Sequence, residues 1–306
     1  MSLRSWLNYK KYIKLVEKGR EKFLDGEYED ALVFYKKAFE YGFYIEDLNA
    51  LGFIYIELGK LLLAEEVFNT VLEKKGNSNA LYGLGCIAEK TGKFEEAIKL
   101  YEDSIRLNDS VPGVYFDCAY LYDELMKFDK AKEYYLKVIE LEDNNFWAHL
   151  NIGTIYEQEN DLVNSLSHYE IAYQINNTLP MICYNLGVVH SKLGNIDLAI
   201  RYYKEEVEKK DRYKNAYFNL AILYKDHLKD YQLAKEAYLK GIEDDKEHYP
   251  IWYNLGCLYA LLKDYKNAFD CFLYIKYKSP KLFNYINEDE ELFEFRKSQE
   301  YNDLMK

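Results

Sequence analysis

The stretch 252-WYNLGCLYALLKDYKNAFDCFLYIKYKSP-280 decides the fold. Trp252, Leu255, Gly256 and Tyr259 fall at i, i+3, i+4 and i+7, the spacing of one face of an α-helix. Working outward, Gly256 has counterparts at Gly19, Gly52, Gly85, Ala119, Gly153, Gly187 and Ala221, at steps of 33 to 35 residues. A second small residue follows twelve positions on at Ala31, Ala64, Ala97, Ala131, Ser165, Ala199 and Ala268, and thirteen on at Ala234. Two registers held over eight copies make this a repeat protein, and a stack of supersecondary units has one long surface rather than a built-in catalytic pocket.

With the first small residue set at position 8, each unit repeats the same helical face. Cys183, Leu186, Gly187 and His190 occupy positions 4, 7, 8 and 11 of one unit, and Tyr115, Cys118, Ala119 and Tyr122 those of another. A breaker follows at Gly26, Gly59, Gly92, Asn160 or Gly194, residue types that end a helix in the left-handed conformation. A second periodic run, such as Ala97–Tyr101–Ser104, completes the unit as helix A, turn, helix B. Small residues at position 8 and near position 20 let the two helices approach closely. A two-helix unit of this size buries its apolar face only by stacking.

These residues resemble the tetratricopeptide repeat family: bulky at 4, Leu-Gly at 7–8, Tyr at 11, Ala at 20, Tyr or Phe at 24, and Pro near 32. The resemblance covers roughly residues 12 to 280. It implies an all-α solenoid, a right-handed superhelix of stacked pairs with helix A on the concave face. The repeats are set at about 12–44, 45–77, 78–111, 112–145, 146–179, 180–213, 214–248 and 249–280, in a single domain spanning 1–306. Residues 281–306 leave the period and read as one or two amphipathic helices capping the last pair. Three local departures stand out: lysines at Lys18 and Lys22 in the first unit, Glu206 at position 27 where a small residue is expected, and one extra residue around Asp226–Tyr231.

Composition narrows the function. Net charge is −12, and no stripe of clustered Lys and Arg is present to meet phosphates, so nucleic acid and anionic membrane are excluded as expected partners. The N-terminus has no apolar core of a signal peptide. The five cysteines, Cys86, Cys118, Cys183, Cys257 and Cys271, are scattered over the repeats and suit packing in a reducing compartment, so the cytoplasm is expected. Abundant Lys, Asn, Ile and Tyr with four Pro suggest an AT-rich, bacterial genome. Cys183, His190 and His149 occupy core slots without metal-ligand spacing, and no phosphate loop or nucleophile motif occurs. Hence no catalytic residue, metal or cofactor is expected.

The candidate binding residues lie in two rows. Position 5 carries Tyr82, Phe116, Leu150, Tyr184, Phe218 and Tyr253, off the packing stripe and toward the groove. Rigid aromatics there would anchor a ligand, or would shield the seam between adjacent A helices. Position 6 reads Asn151, Asn185, Asn219 and Asn254 in the second half of the array. The array resembles the superhelix of the O-linked N-acetylglucosamine transferase, where an asparagine ladder at this position runs down the groove. A carboxamide donates and accepts at once and can hold an extended backbone; alternatively it bonds neighbouring helices. A carboxylate clamp is not expected, since only Arg20 is basic at position 9. The expected function is a non-catalytic scaffold holding a peptide or partner helix over Asn151, Asn185, Asn219, Asn254, Tyr184, Phe218 and Tyr253. The alternative is a receptor whose superhelix responds to a small peptide or metabolite, and a second copy of the chain is an admissible partner.

Overall fold

The computed structural model describes residues 3–42, 44–74 and 76–306, and among them every regular element is helical. The chain divides into two compact units, Met1–Ala148 and His149–Lys306. The first holds α1 (Leu3–Leu24) paired with α2 (Tyr28–Phe39), α3 (Glu46–Glu57) with α4 (Leu61–Lys74), α5 (Ser78–Lys90) with α6 (Phe94–Leu107), and α7 (Pro112–Glu124) with α8 (Phe128–Leu141). The division falls within α9 (Phe146–Gln158), which precedes α10 (Leu162–Ile175). In the second unit α11 (Ile182–Lys192) pairs with α12 (Ile196–Glu208), α13 (Asn215–Leu223) with α14 (Tyr231–Asp244), and α15 (Tyr249–Leu261) with α16 (Tyr265–Lys278). Within each unit the second helix of one pair packs on the first helix of the next, α4 on α5 and α12 on α13 for example. Each unit is an all-α solenoid. α1 starts well before residue 12, so the first repeat has a longer helix A than its counterparts.

The eight inter-helix turns share one device. A single residue takes a left-handed φ of +53° to +77°: Gly26, Gly59, Gly92 and Gly194, but also Met126, Asn160, Lys229 and Lys263. The next N–H then returns to a carbonyl inside helix A, as Lys93 does to Ala88 and Asn195 to His190, closing the orphan end. Sequence patterning found five of these turns. At Met126, Lys229 and Lys263 the same conformation is imposed on a side chain that tolerates it at a cost, and no glycine marks the place.

The small residue at position 8 seats the ring of position 24. A methyl group on Gly187 would lie 2.6 Å from the Tyr203 ring, and one on Gly52 would lie 2.5 Å from Phe68. Phe68 also presses on Gly83, at position 6 of the following repeat, where a Cβ would fall 2.2 Å away. The Phe68 ring thus fits between its own helix A and the next one. Tyr35, Tyr101, Tyr135, Tyr169, Tyr203 and Tyr238 are accordingly among the most buried side chains of the protein.

The departures from the repeat have physical roles. Glu206 is fully buried, and its Oε1 accepts the backbone N–H of Met181 at 3.0 Å and of Tyr213 at 2.8 Å. Its Oε2 lies 2.9 Å from Lys209 Nζ, which also donates to the Leu179 carbonyl. Pro180 stands outside the helix that follows it: Met181 takes φ +75°, and α11 begins at Ile182. The extra residue of repeat 7 is absorbed as a π turn, Tyr224–Leu228. The segment after Pro280 is not the one or two amphipathic helices expected. It folds as α17 (Pro280–Phe283), three 3-10 turns and α18 (Gln299–Met305). Adjacent like charges and local caps explain this, with Asp289 accepting the Glu291 N–H and Ser298 the Tyr301 N–H. Phe283, Ile286, Leu292, Phe295 and Leu304 share one buried cluster with Phe272 and Ile275, with Phe269 partly buried beside them.

Candidate functional site

In the second unit the A helices α11, α13 and α15 carry the two candidate rows. The position-5 aromatics are half-buried. Each packs on the position-24 ring of its own repeat: Tyr184 on Tyr203 with centroids 5.7 Å apart, Phe218 on Tyr238 at 6.4 Å, and Tyr253 on Phe272 at 5.9 Å. The first unit repeats the arrangement with Tyr82 on Tyr101 and Phe116 on Tyr135. Tyr184 also meets Tyr213 at 4.5 Å, and Phe218 meets His248 at 5.4 Å. These rings line the seam and leave part of each edge exposed.

The tyrosine hydroxyls of this row reach forward by one repeat. Tyr82 Oη donates to Asp117 Oδ2 at 2.6 Å, and Asn219 Nδ2 donates to Tyr184 Oη at 3.2 Å. Asp117 and Asn219 both stand at position 6. Asn219 Nδ2 also reaches Tyr203 Oη at 3.1 Å. Burial drives the Tyr203 hydroxyl above its ordinary pKa, so it remains protonated. Burial also lifts the Asp117 carboxyl to about 6, against the lowering effect of its Tyr82 hydrogen bond.

The four asparagines are placed differently. Asn185 is buried. Asn219 Oδ1 accepts no hydrogen bond from the described residues, and the residue lines a cavity of about 170 Å³ between α11 and α13. Val188, Ile222 and Leu223 supply its apolar wall, and Ser191 and Lys192 its polar one. Asn254 turns to its own helix and donates to the Pro250 carbonyl at 2.9 Å. Asn151 is partly buried on α9 and engaged within the protein. Lys192, on the cavity wall, pairs with Glu157 at 2.9 Å.

One buried constellation escaped sequence reasoning. His149 Nδ1 lies 3.0 Å from His168 Nδ1, and His168 stacks on Tyr156. Burial, followed by the neighbouring His149, holds the His168 pKa at about 4. Their separation of 19 residues carries no helical or ligand signal. His149 and His190 occupy core slots as expected, at 4% and 5% exposure. The five cysteines are free, and burial pushes the thiols up, Cys86 to about 11 and Cys183 and Cys271 to about 12. Raised thiol pKa values disfavour the nucleophilic thiolate. Among the described residues no helix is long and apolar enough to cross a membrane.

The tetratricopeptide repeat pattern matches residues 78–110, 112–145, 182–207, 215–248 and 249–273. The chain is a tetratricopeptide repeat (TPR) protein. It is 21% identical over 285 residues to a TPR repeat-containing protein of Methanocaldococcus jannaschii, a match covering 84% of this chain and 50% of that protein. It is 23% identical over 186 residues to the protein O-mannosyl-transferase TMTC3 of Mus musculus, covering 56% of this chain and 20% of the transferase. The chain thus spans a fifth to a half of these relatives. Among solved structures, PilF of Pseudomonas aeruginosa superposes with TM-score 0.57 at 15% identity, covering 66% of this chain and 92% of PilF. YrrB, described as a TPR protein with an unusual peptide-binding site, gives TM-score 0.50 at 21% identity, covering 62% of this chain and 98% of YrrB. These likenesses show the fold. TPR proteins generally mediate protein–protein interaction.

Proposed function

We propose that this TPR protein is a non-catalytic scaffold whose A-helix face over repeats 5 to 8 holds an extended peptide or a partner's helix. One observation carries the reading: Asn219 borders a cavity with an apolar wall, its Nδ2 is held by two tyrosine hydroxyls, and its Oδ1 accepts no hydrogen bond from the described residues. A fixed carboxamide with a spare acceptor suits a peptide N–H, and the adjacent apolar wall suits a small aliphatic side chain. The exposed edges of Tyr184, Phe218 and Tyr253 would supply preference. The transferase relatives are matched over a fifth of their length, so their named activity is not carried to this chain. Five free, dispersed cysteines favour a reducing compartment such as the cytoplasm.

Affinity capture from lysate of the source organism, followed by mass spectrometry, supplies the partner. Asn185→Ala with Asn219→Ala should then weaken that partner at least tenfold, about 1.4 kcal/mol by affinity arithmetic. Because Asn219 also bonds Tyr184 and Tyr203, the double variant is compared below its own unfolding midpoint, with helicity checked by circular dichroism. Undiminished affinity, or a footprint confined to repeats 1 to 4, would refute the reading.

A further inference from the structure

The π turn of repeat 7 and the acidic turn of the cap meet at one lysine. Lys225 stands at position 12 of its helix A, the position of Glu89 and Glu157 in other repeats. Its side chain is 7% exposed, and its ammonium donates to both oxygens of Glu291, at 3.1 and 2.9 Å. Asp226 Oδ1 lies 3.4 Å away. Glu291 comes from outside the repeats, and its side chain is 51% exposed. One member of the pair is therefore fixed in the protein, and the other can swing to solvent.

The surroundings hold further polar groups. Tyr238 Oη is fully buried and unpartnered, with Asp226, Cys257 and Glu291 as its electrostatic neighbours. In the preceding repeat the equivalent Tyr203 hydroxyl receives Asn219, but here Asn254 has turned to Pro250. Tyr253 Oη donates to Asp289 Oδ2 at 2.6 Å, two residues before Glu291. A cavity of about 420 Å³ lies beside that bond, lined by Tyr253, Leu282, Tyr285, Glu288 and Asp289. An incoming residue has room there without displacing the buried anchors Ile286 and Leu292.

We propose that Lys225, with Tyr238 and Tyr253, forms a carboxylate-reading site on the A-helix face, held by Glu291 in the free chain and taken by an acidic side chain of a bound partner segment. This rests on the reading that the A-helix face of the second unit binds a peptide, and names the chemistry one end of that peptide carries. Its features are two carboxylates two residues apart, the spacing of Asp289 and Glu291. The incoming carboxylate takes the two bonds that Lys225 now gives to Glu291. Glu291 competes at the high effective concentration of a tethered group, on the order of millimolar, so an isolated peptide binds the unaltered chain only weakly.

The probe is a fluorescein-labelled, C-terminally amidated peptide INEDEELF, the chain's own residues 286–293, titrated into the full-length protein by fluorescence polarisation. Glu291→Gln removes the competing charge and leaves only a neutral acceptor at the lysine, whose charge Asp226 still balances, and should tighten the probe at least tenfold over the unaltered chain. Lys225→Met added to Glu291→Gln removes the charge without burying an unpaired one, and should abolish the gain. So should a probe with Gln at its Asp and Glu positions. Equal binding to the unaltered and Glu291→Gln chains, or a gain that survives Lys225→Met, would overturn the proposal. Recovery of binding by a Gln probe with a free C-terminus would overturn it in favour of a terminal carboxylate. Either failure leaves the asparagine test above standing.

Discussion

Glu206→Ala should cost the second unit about 3–5 kcal/mol, read as a fall in the urea midpoint followed by circular dichroism. The buried carboxylate does three things at once. It accepts the N–H groups of Met181 and Tyr213, so it ties the entry of α11 to the approach of α13. It neutralises Lys209, whose side chain is 10% exposed. It also holds Met181 at φ +75°, a conformation that a side chain of its size adopts only under constraint. Alanine removes all three effects, leaving two N–H groups without their acceptor and one cation without its partner. Glu206→Gln keeps an acceptor for the two N–H groups and loses only the charge, so it should cost roughly half as much. A loss below about 1 kcal/mol for the alanine variant would show that solvent or a rearranged loop replaces the carboxylate.

Why this residue was legible only as an anomaly follows from how repeats encode structure. Periodicity fixes what every copy shares: the eight hairpins, the small residue at position 8 and the ring at position 24 could all be read from spacing, since their contacts recur with the period. Glu206, Lys225 and Glu291 form contacts made once each, and a single contact leaves no periodic trace. The sequence marks Glu206 and the extra residue around Asp226–Tyr231 as departures, but the groups that Glu206 and the adjoining Lys225 bind, Met181 N–H and Glu291, lie 25 and 66 residues away. The position-6 row is an intermediate case. Gly83 lies against the Phe68 ring and Asn219 bonds the Tyr203 hydroxyl, but Ala50 follows Tyr35 and Asn254 turns from Tyr238 to Pro250, so the ring before it does not dictate the residue at position 6. Asn219 thus serves the seam between repeats on one side and leaves its other side for a ligand.

Acid should loosen the second unit through His168. In the folded protein burial and the adjacent His149 hold its pKa at about 4, below the ordinary value of 6.5. The native state binds that proton less readily than the unfolded chain, so stability is fully present above about pH 6.5 and is lost as pH falls toward 4. The shift corresponds to a loss of about 3 kcal/mol once the window is crossed. His190 and His248 are lowered by burial as well and act in the same direction. Asp117, in the first unit, acts in the opposite one: its carboxyl is raised to about 6, so protonation on acidification relieves a native-state penalty there. Comparing the parent chain with His168→Asn cancels these other groups. The asparagine keeps a neutral hydrogen-bonding partner for His149 but cannot titrate. Between pH 7.5 and pH 4.5 the urea midpoint of the parent should fall further than that of the variant, by the equivalent of roughly 2–3 kcal/mol. Parallel pH profiles for the two chains would mean that His168 is already protonated in the native state, with the His149 ring turned to accept from it.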